Sequence, residues 1–215
     1  MRLFYENVPL HSKSERMDVF SKLKNKVAVF DEEFDLIFPE DVREHSNRHF
    51  TSVFIAQQAA AFLTEEGAKT ILDIGSGTGK FCLVASATSK AHYTGVEHRT
   101  HHVEIGNDCA KRYGLLNCKF IADDILNVDF SNYDAFYIFN PFLEAKDPTA
   151  QMDQVVKVGL KDYDEFSNYV YQQFDSLRIG TRIASYWTSK TQIPPSYELV
   201  KSAFGDTLTF WRKIS

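Results

Sequence analysis

The sequence predicts an α/β protein: a doubly wound, mostly parallel sheet of about seven strands with a C-terminal antiparallel hairpin, helices on both faces and an extra N-terminal helical segment. Three observations carry this expectation. From Thr70 onward, short β-rich runs alternate with helical patterns, as they do when helices cover both faces of a parallel sheet. The first run leads into a glycine-rich stretch, ILDIGSGTGK at 71–80, which has the form of a strand, a ligand-holding turn and a helix start. The final stretch, 196–214, alternates apolar and polar residues around a Gly205-Asp206 pair.

Along the chain, residues 1–47 are expected to form a helical extension or lid, and 48–215 the sheet-bearing domain. Lys13, Arg16, Lys22, Lys24 and Lys26 make the extension basic, which fits a solvated helix face or, less readily, an RNA contact. Ile55, Ala59, Phe62 and Leu63 recur at helical spacing, with Thr51 or Ser52 available as N-cap and Gly67 as a left-handed stop. Strands are expected at 70–74, 93–97, 118–122, 135–139 and 181–187. Gly106, Cys109, Ala110 and Tyr113 mark a helix between the second and third, and Gly106 lets it lie close to the sheet. At 196–214, Tyr197, Val200 and Phe204 also suit a helix; the Gly205-Asp206 turn followed by Leu208 and Phe210 favours a hairpin.

Composition narrows the function classes. A chain of 215 residues with 44% hydrophobic and 25% charged residues suits one globular domain. A net charge of -5 argues against a broad nucleic-acid footprint. No apolar run reaches the roughly 18 residues of a membrane span, and the first residues lack a signal-peptide pattern, so no membrane partner and a cytoplasmic location are expected. Cys82, Cys109 and Cys118 lie in apolar stretches without CxxC spacing, which predicts buried free thiols.

The glycine loop has three possible ligands: a nucleoside triphosphate, a nicotinamide dinucleotide or a sulfonium nucleoside. A triphosphate loop needs four residues between its glycines and then Gly-Lys-Ser/Thr, because the hydroxyl ligates magnesium. Here Gly75 and Gly79 have only three residues between them, and Phe81 follows Lys80. A dinucleotide fingerprint is Gly-x-Gly-x-x-Gly, with the pyrophosphate at the helix N-terminus. This loop is Gly-x-Gly-x-Gly, and Asp73 precedes it. An ionised carboxylate aimed at the loop repels a pyrophosphate but accepts hydrogen bonds from an ammonium group. S-adenosylmethionine, with an amino-acid tail and no phosphate, fits best.

These residues resemble the class I S-adenosylmethionine-dependent methyltransferases, over roughly 48–215. The family's first motif, acid-x-Gly-x-Gly-x-Gly, matches Asp73, Gly75, Gly77 and Gly79, with Ser76 inside the cofactor loop. The second, an acid ending strand two that holds the ribose hydroxyls, resembles Glu97, and His98 or Arg99 then borders the adenine. The third, near the adenine amino group, is similar to Asp123, with Asp124 as competitor. The fourth, after strand four, resembles Asn140-Pro141-Phe142. In related amino-group enzymes an Asn/Asp-Pro-Pro-aromatic motif grips a planar nitrogen; this chain has one proline, so the resemblance leaves the acceptor open. It implies that Asn140, Pro141 and Phe142 act at the methyl-acceptor side, that Asn140 also meets the cofactor, and that His49 and Phe50 belong to a segment folding over it.

The implied activity is methyl transfer from S-adenosylmethionine, leaving S-adenosylhomocysteine, to a nitrogen or oxygen of a small molecule, protein side chain or RNA. Glu144 is the nearest carboxylate by sequence for removing a proton from the acceptor, against its plainer reading as an exposed loop acid. A cofactor-binding module without catalysis is the alternative, and a nicotinamide-dependent oxidoreductase a more distant one. His98, His101 and His102 lack the further ligands a metal site needs, so no metal is expected. The 141–162 connection has the length of a substrate-side insertion. Oligomeric state is open.

Overall fold

The computed structural model describes residues 17–44, 49–140 and 160–215. Seven strands form one sheet: β1 (Thr70–Ile74), β2 (His92–Glu97), β3 (Cys118–Ala122), β4 (Ala135–Phe139), β5 (Arg182–Tyr186), β6 (Tyr197–Ala203) and β7 (Leu208–Lys213). Their spatial order is β3-β2-β1-β4-β5-β7-β6. The first five strands pair in parallel, while β7 runs antiparallel to both β5 and β6. The chain therefore starts mid-sheet, steps outward to β3 and returns to β4. That reversal opens a crevice beyond the carboxyl ends of β1 and β4, where ligands of such sheets bind.

The expected fold class is the observed one. Three strand limits differ: β2 begins one residue earlier, at His92, β5 begins one residue later, at Arg182, and β5 ends at Tyr186, because Trp187 leaves the strand with a left-handed backbone, φ 50°. The ambiguous 196–214 stretch is a hairpin with an irregularity between Leu199 and Lys201. Phe204, Gly205 and Asp206 all take positive φ in its turn, which the right-handed twist of a hairpin favours.

Seven α-helices are described: α1 (Val19–Lys24), α2 (Asp31–Phe34), α3 (Glu40–Arg43), α4 (Val53–Thr64), α5 (Lys80–Thr88), α6 (Thr100–Arg112) and α7 (Leu160–Ser176). Of the two cap candidates for α4, Ser52 is the cap, its hydroxyl accepting from the Ile55 N–H at 3.3 Å. The Thr51 hydroxyl turns instead to the Tyr137 hydroxyl of β4, 2.9 Å away. Gly67 takes φ 83° just after the helix, as the left-handed stop requires. All three cysteines are buried and free. Among the described residues no helix is long and apolar enough to cross a membrane.

Alternation along the central strands splits the core in two. On one face Ile71, Phe81, Cys82, Tyr93, Tyr137 and Ala184 pack with α4, α5 and α6; on the other Leu72, Ile74, Phe136, Ile138 and Ile183 pack with Val170 and Phe174 of α7. Phe20, Leu23, Phe34, Ile37 and Phe38 join the first of these clusters, so the N-terminal helices share the sheet's own core. Each fully buried aromatic contributes about 1.5–3 kcal/mol relative to exposure.

Phe120 on β3 fixes the spacing between elements. A Cβ added at Gly79, at Gly95 or at Gly106 would fall 2.1, 2.5 or 2.8 Å from its ring, so the ring lies against bare backbone of three elements: the start of α5, β2 and α6. β3 is a sheet edge, and here the edge is covered. Asn107 of α6 donates its side-chain amide to the Phe120 carbonyl at 2.9 Å and accepts from the Phe120 N–H at 3.0 Å, standing in for a neighbouring strand.

Candidate active site

The loop after β1 rises at the crevice with Gly75, Gly77 and Gly79 at φ 70°, 54° and 87°, a backbone that other residues adopt only with strain. Open space surrounds the Cβ position of Gly77, leaving room for a ligand against the loop. Ser76 Oγ and Thr78 Oγ1 are buried without a hydrogen-bond partner among the described residues, which marks a polar site built for something further.

Glu97 ends β2 beside this loop. Its carboxylate is buried and accepts from the Gly77 N–H at 3.1 Å and the Arg99 N–H at 2.9 Å, with His98 Nδ1 3.0 Å away. Burial works to raise its pKa; the His98 hydrogen bond, the His98 and Arg99 charges and the Arg99 N–H outweigh it and hold the carboxyl below its ordinary value. An ionised acid with lone pairs left over suits vicinal hydroxyl donors.

Asp73 differs. It is buried on the α5 side of β1, where the Cys82 thiol donates to it at 3.5 Å. Burial pushes its carboxyl up to about 7, the thiol opposing and the Glu97 charge adding to the rise. An acid that turns away a pyrophosphate is an ionised one; Asp73 is only partly ionised near neutral pH, and a cation brought close favours its charged form.

Lys80 supplies none. Its buried ammonium turns away from the loop to Asp31 Oδ1 at 2.7 Å and Asp35 Oδ1 at 2.5 Å, and lies within 6 Å of the Phe34 and Phe50 rings. With Lys80 committed there, nothing in the loop itself offers a pyrophosphate a cation. The residues present fit a nucleoside with a positively charged tail.

Asp123 follows β3, its N–H bonded to the Glu97 carbonyl at 3.2 Å, which brings it to the same edge. Its exposed carboxylate accepts from the Asp124 N–H and the Asn127 side chain, while Asp124 caps a short turn through the Leu126 N–H. Of the pair, Asp124 is thus committed to the turn. His98 is exposed, as is His101, and among the described residues no three metal-binding side chains gather.

Asn140 stands at the carboxyl end of β4 in a left-handed backbone, φ 33°, its N–H bonded to the Thr188 hydroxyl at 3.1 Å. Thr188 also donates to the Tyr186 carbonyl at 3.1 Å, tying the ends of β4 and β5 together. No local sequence signal marks this role, because it depends on strands 48 residues apart. Pro141, Phe142 and Glu144 lie outside the described residues, as do residues 45–48 ahead of His49. Phe50 is half-buried against Phe38, its ring 5.2 Å away.

Comparison with known proteins decides the family. A model described as a methyltransferase domain matches residues 65–175, just over half the chain. The chain belongs to that family. The methyltransferase is an enzyme, and S-adenosylmethionine is its methyl donor. No curated protein matches the sequence. Among solved structures, TrmN from Thermus thermophilus is 16% identical with TM-score 0.54 over 80% of this chain and 52% of its own, so this chain spans about half its length. A putative caffeoyl-CoA O-methyltransferase from Staphylococcus aureus is 15% identical with TM-score 0.54 over 81% and 91%. An RNA methyltransferase from Salinibacter ruber in complex with S-adenosyl-L-homocysteine is 18% identical with TM-score 0.49 over 75% and 88%. At such identities the likeness is one of fold.

Proposed function

We propose that the methyltransferase transfers a methyl group to a nitrogen or oxygen nucleophile held beside Asn140, with Glu97 and the glycine loop holding the nucleoside. The observation that carries this is the placement of Asn140: in strained backbone at the end of β4, the strand beside β1, and therefore across the crevice from the loop. The bound cofactor supplies a sulfonium-activated methyl carbon, whose bond electrons stay with sulfur as the acceptor's lone pair forms the new bond. The chain's own task is alignment and exclusion of water. Glu97 accepts from the ribose hydroxyls, Asp123 borders the base, Asp73 ionises beneath the ammonium, and Asn140 offers its amide oxygen to the acceptor. His49 and Phe50, which follow the N-terminal extension, fold over the crevice. A cytoplasmic location is part of the same proposal, supported by free buried cysteines.

Two variants separate the roles. Glu97→Ala weakens S-adenosylhomocysteine binding by about 1.5–3 kcal/mol, the loss of two charge-assisted hydrogen bonds, whereas Asn140→Ala lowers methyl transfer much more than that affinity. Calorimetry and a radiolabelled-methyl screen over metabolites, peptides and RNA measure both. Equal loss of binding and transfer in Asn140→Ala defeats the assignment.

A further inference from the structure

The carboxyl edge carries a feature that holding the cofactor does not use. Trp187 follows β5 directly, 59% exposed, and its N–H bonds the Thr207 carbonyl at 2.8 Å, so the β6–β7 turn stands beside it. Phe204 in that turn is 52% exposed and meets Phe54 of α4, 55% exposed, edge to face at 5.8 Å. Behind Trp187, the Tyr186 ring lies 6.3 Å from the indole and 4.8 Å from Phe139, the residue before Asn140. A row of rings thus runs from the proposed acceptor position to the solvent.

Backbone strain falls in the same place. Among the described residues five non-glycine residues have positive φ, and four of them, Asn140, Trp187, Phe204 and Asp206, lie at this edge. The hairpin turn accounts for Phe204 and Asp206. It does not account for Trp187, where a bulky residue in left-handed backbone is costly and glycine would be the stable choice. Strain of this kind is kept where the side chain is needed.

We propose that Trp187 is the specificity-determining residue for a small, planar, uncharged aromatic or heteroaromatic acceptor, which stacks along this row and presents its ring nitrogen or ring-borne hydroxyl or amine to the methyl group. The inference rests on the methyl-transfer reading of the site. The wall is aromatic rather than aliphatic, which suits a flat π-face. Among the described residues Lys190 at this turn is paired with Asp206 at 3.0 Å, and the chain carries a net charge of -5, which disfavours a polyanion. In the transfer the acceptor's N–H or O–H proton passes to solvent, its lone pair takes the methyl, and the sulfonium becomes a neutral thioether.

The test uses the full chain saturated with S-adenosylhomocysteine, titrated with purine, catechol, their saturated counterpart cyclohexanol, and a short single-stranded RNA. Trp211, the other tryptophan, is 8% exposed, so fluorescence quenching by a small probe reads Trp187. Purine or catechol quenches saturably and cyclohexanol does not. By calorimetry Trp187→Phe keeps the planar probe's affinity within about threefold, while Trp187→Gly, which relieves the backbone, loses about 5- to 150-fold, the range of one stacked ring. S-adenosylhomocysteine binds both variants as it binds the parent. Equal binding of cyclohexanol, unchanged affinity in Trp187→Gly, RNA binding more than tenfold tighter than free purine, or a dimer that shields Trp187 on concentration each overturns the proposal. Failure of S-adenosylhomocysteine itself to bind overturns instead the cofactor reading beneath it.

Discussion

Phe120→Ala is expected to lower the unfolding free energy by about 4–5 kcal/mol, the upper half of the range for a buried aromatic, and to weaken S-adenosylhomocysteine binding with it. Ordinary cavities shrink because neighbouring side chains relax into them. This one is bordered by Gly79, Gly95 and Gly106, which have no side chains to move in, so the space left by the ring stays open. The loss reaches the cofactor because Gly79 starts α5 and closes the glycine loop, and its left-handed backbone is held in place by that ring. Urea unfolding and calorimetry on the same preparation check both parts; a destabilisation under 1 kcal/mol contradicts the packing argument.

Asp73→Asn should change how stability depends on pH. The native carboxyl titrates at about 7 because it is buried, against about 3.9 in the unfolded chain. Between these values the native state holds a proton that the unfolded state has released, so stability falls as pH rises through the window and levels off above it. The variant lacks this slope, and its stability relative to the parent is expected to rise by up to about 4 kcal/mol between pH 4 and 8. Binding follows the opposite sign. A ligand ammonium favours the ionised acid, so S-adenosylhomocysteine binding near pH 6 releases a proton in the parent and none in Asp73→Asn. Calorimetry in buffers of different ionisation enthalpy reads this, and a buffer-independent enthalpy in the parent rules out the pairing.

Much of this was legible in the sequence because it is local. Short β-rich runs bounded by a glycine loop, an acid pair and an Asn-Pro locate β1, β3 and β4 to the residue, and Gly205-Asp206 resolves the hairpin, since strand propensity and turn chemistry act within a few positions. The acids at the ends of β1, β2 and β3 follow from the same pattern once the strands are parallel. What escaped reading is what the fold alone brings together. Lys80 counts in the sequence only against a triphosphate loop; its partners lie 49 and 45 positions upstream. Phe120 looks like any strand aromatic until three glycines converge on it. Trp187 reads as the last residue of a strand, and only its left-handed backbone, φ 50°, shows that the strand has already ended.

The Lys80 pairs have a consequence in time. Asp31 and Asp35 are synthesised before the lysine that neutralises them, and at about 5–20 residues per second the wait is several seconds. Burial of Asp35 without that charge is unfavourable: its pKa is raised even with the charge present, because burial, with the Asp31 and Glu32 charges adding to it, outweighs the lysine. The helices at 19–43 are therefore expected to dock only after the first strand, loop and α5 exist, joining the core late although they are synthesised before those elements. In stopped-flow experiments Lys80→Gln then unfolds faster and refolds at nearly the parent rate, the pattern of a contact absent from the transition state; slowed refolding with unfolding unchanged would place the segment in the nucleus instead.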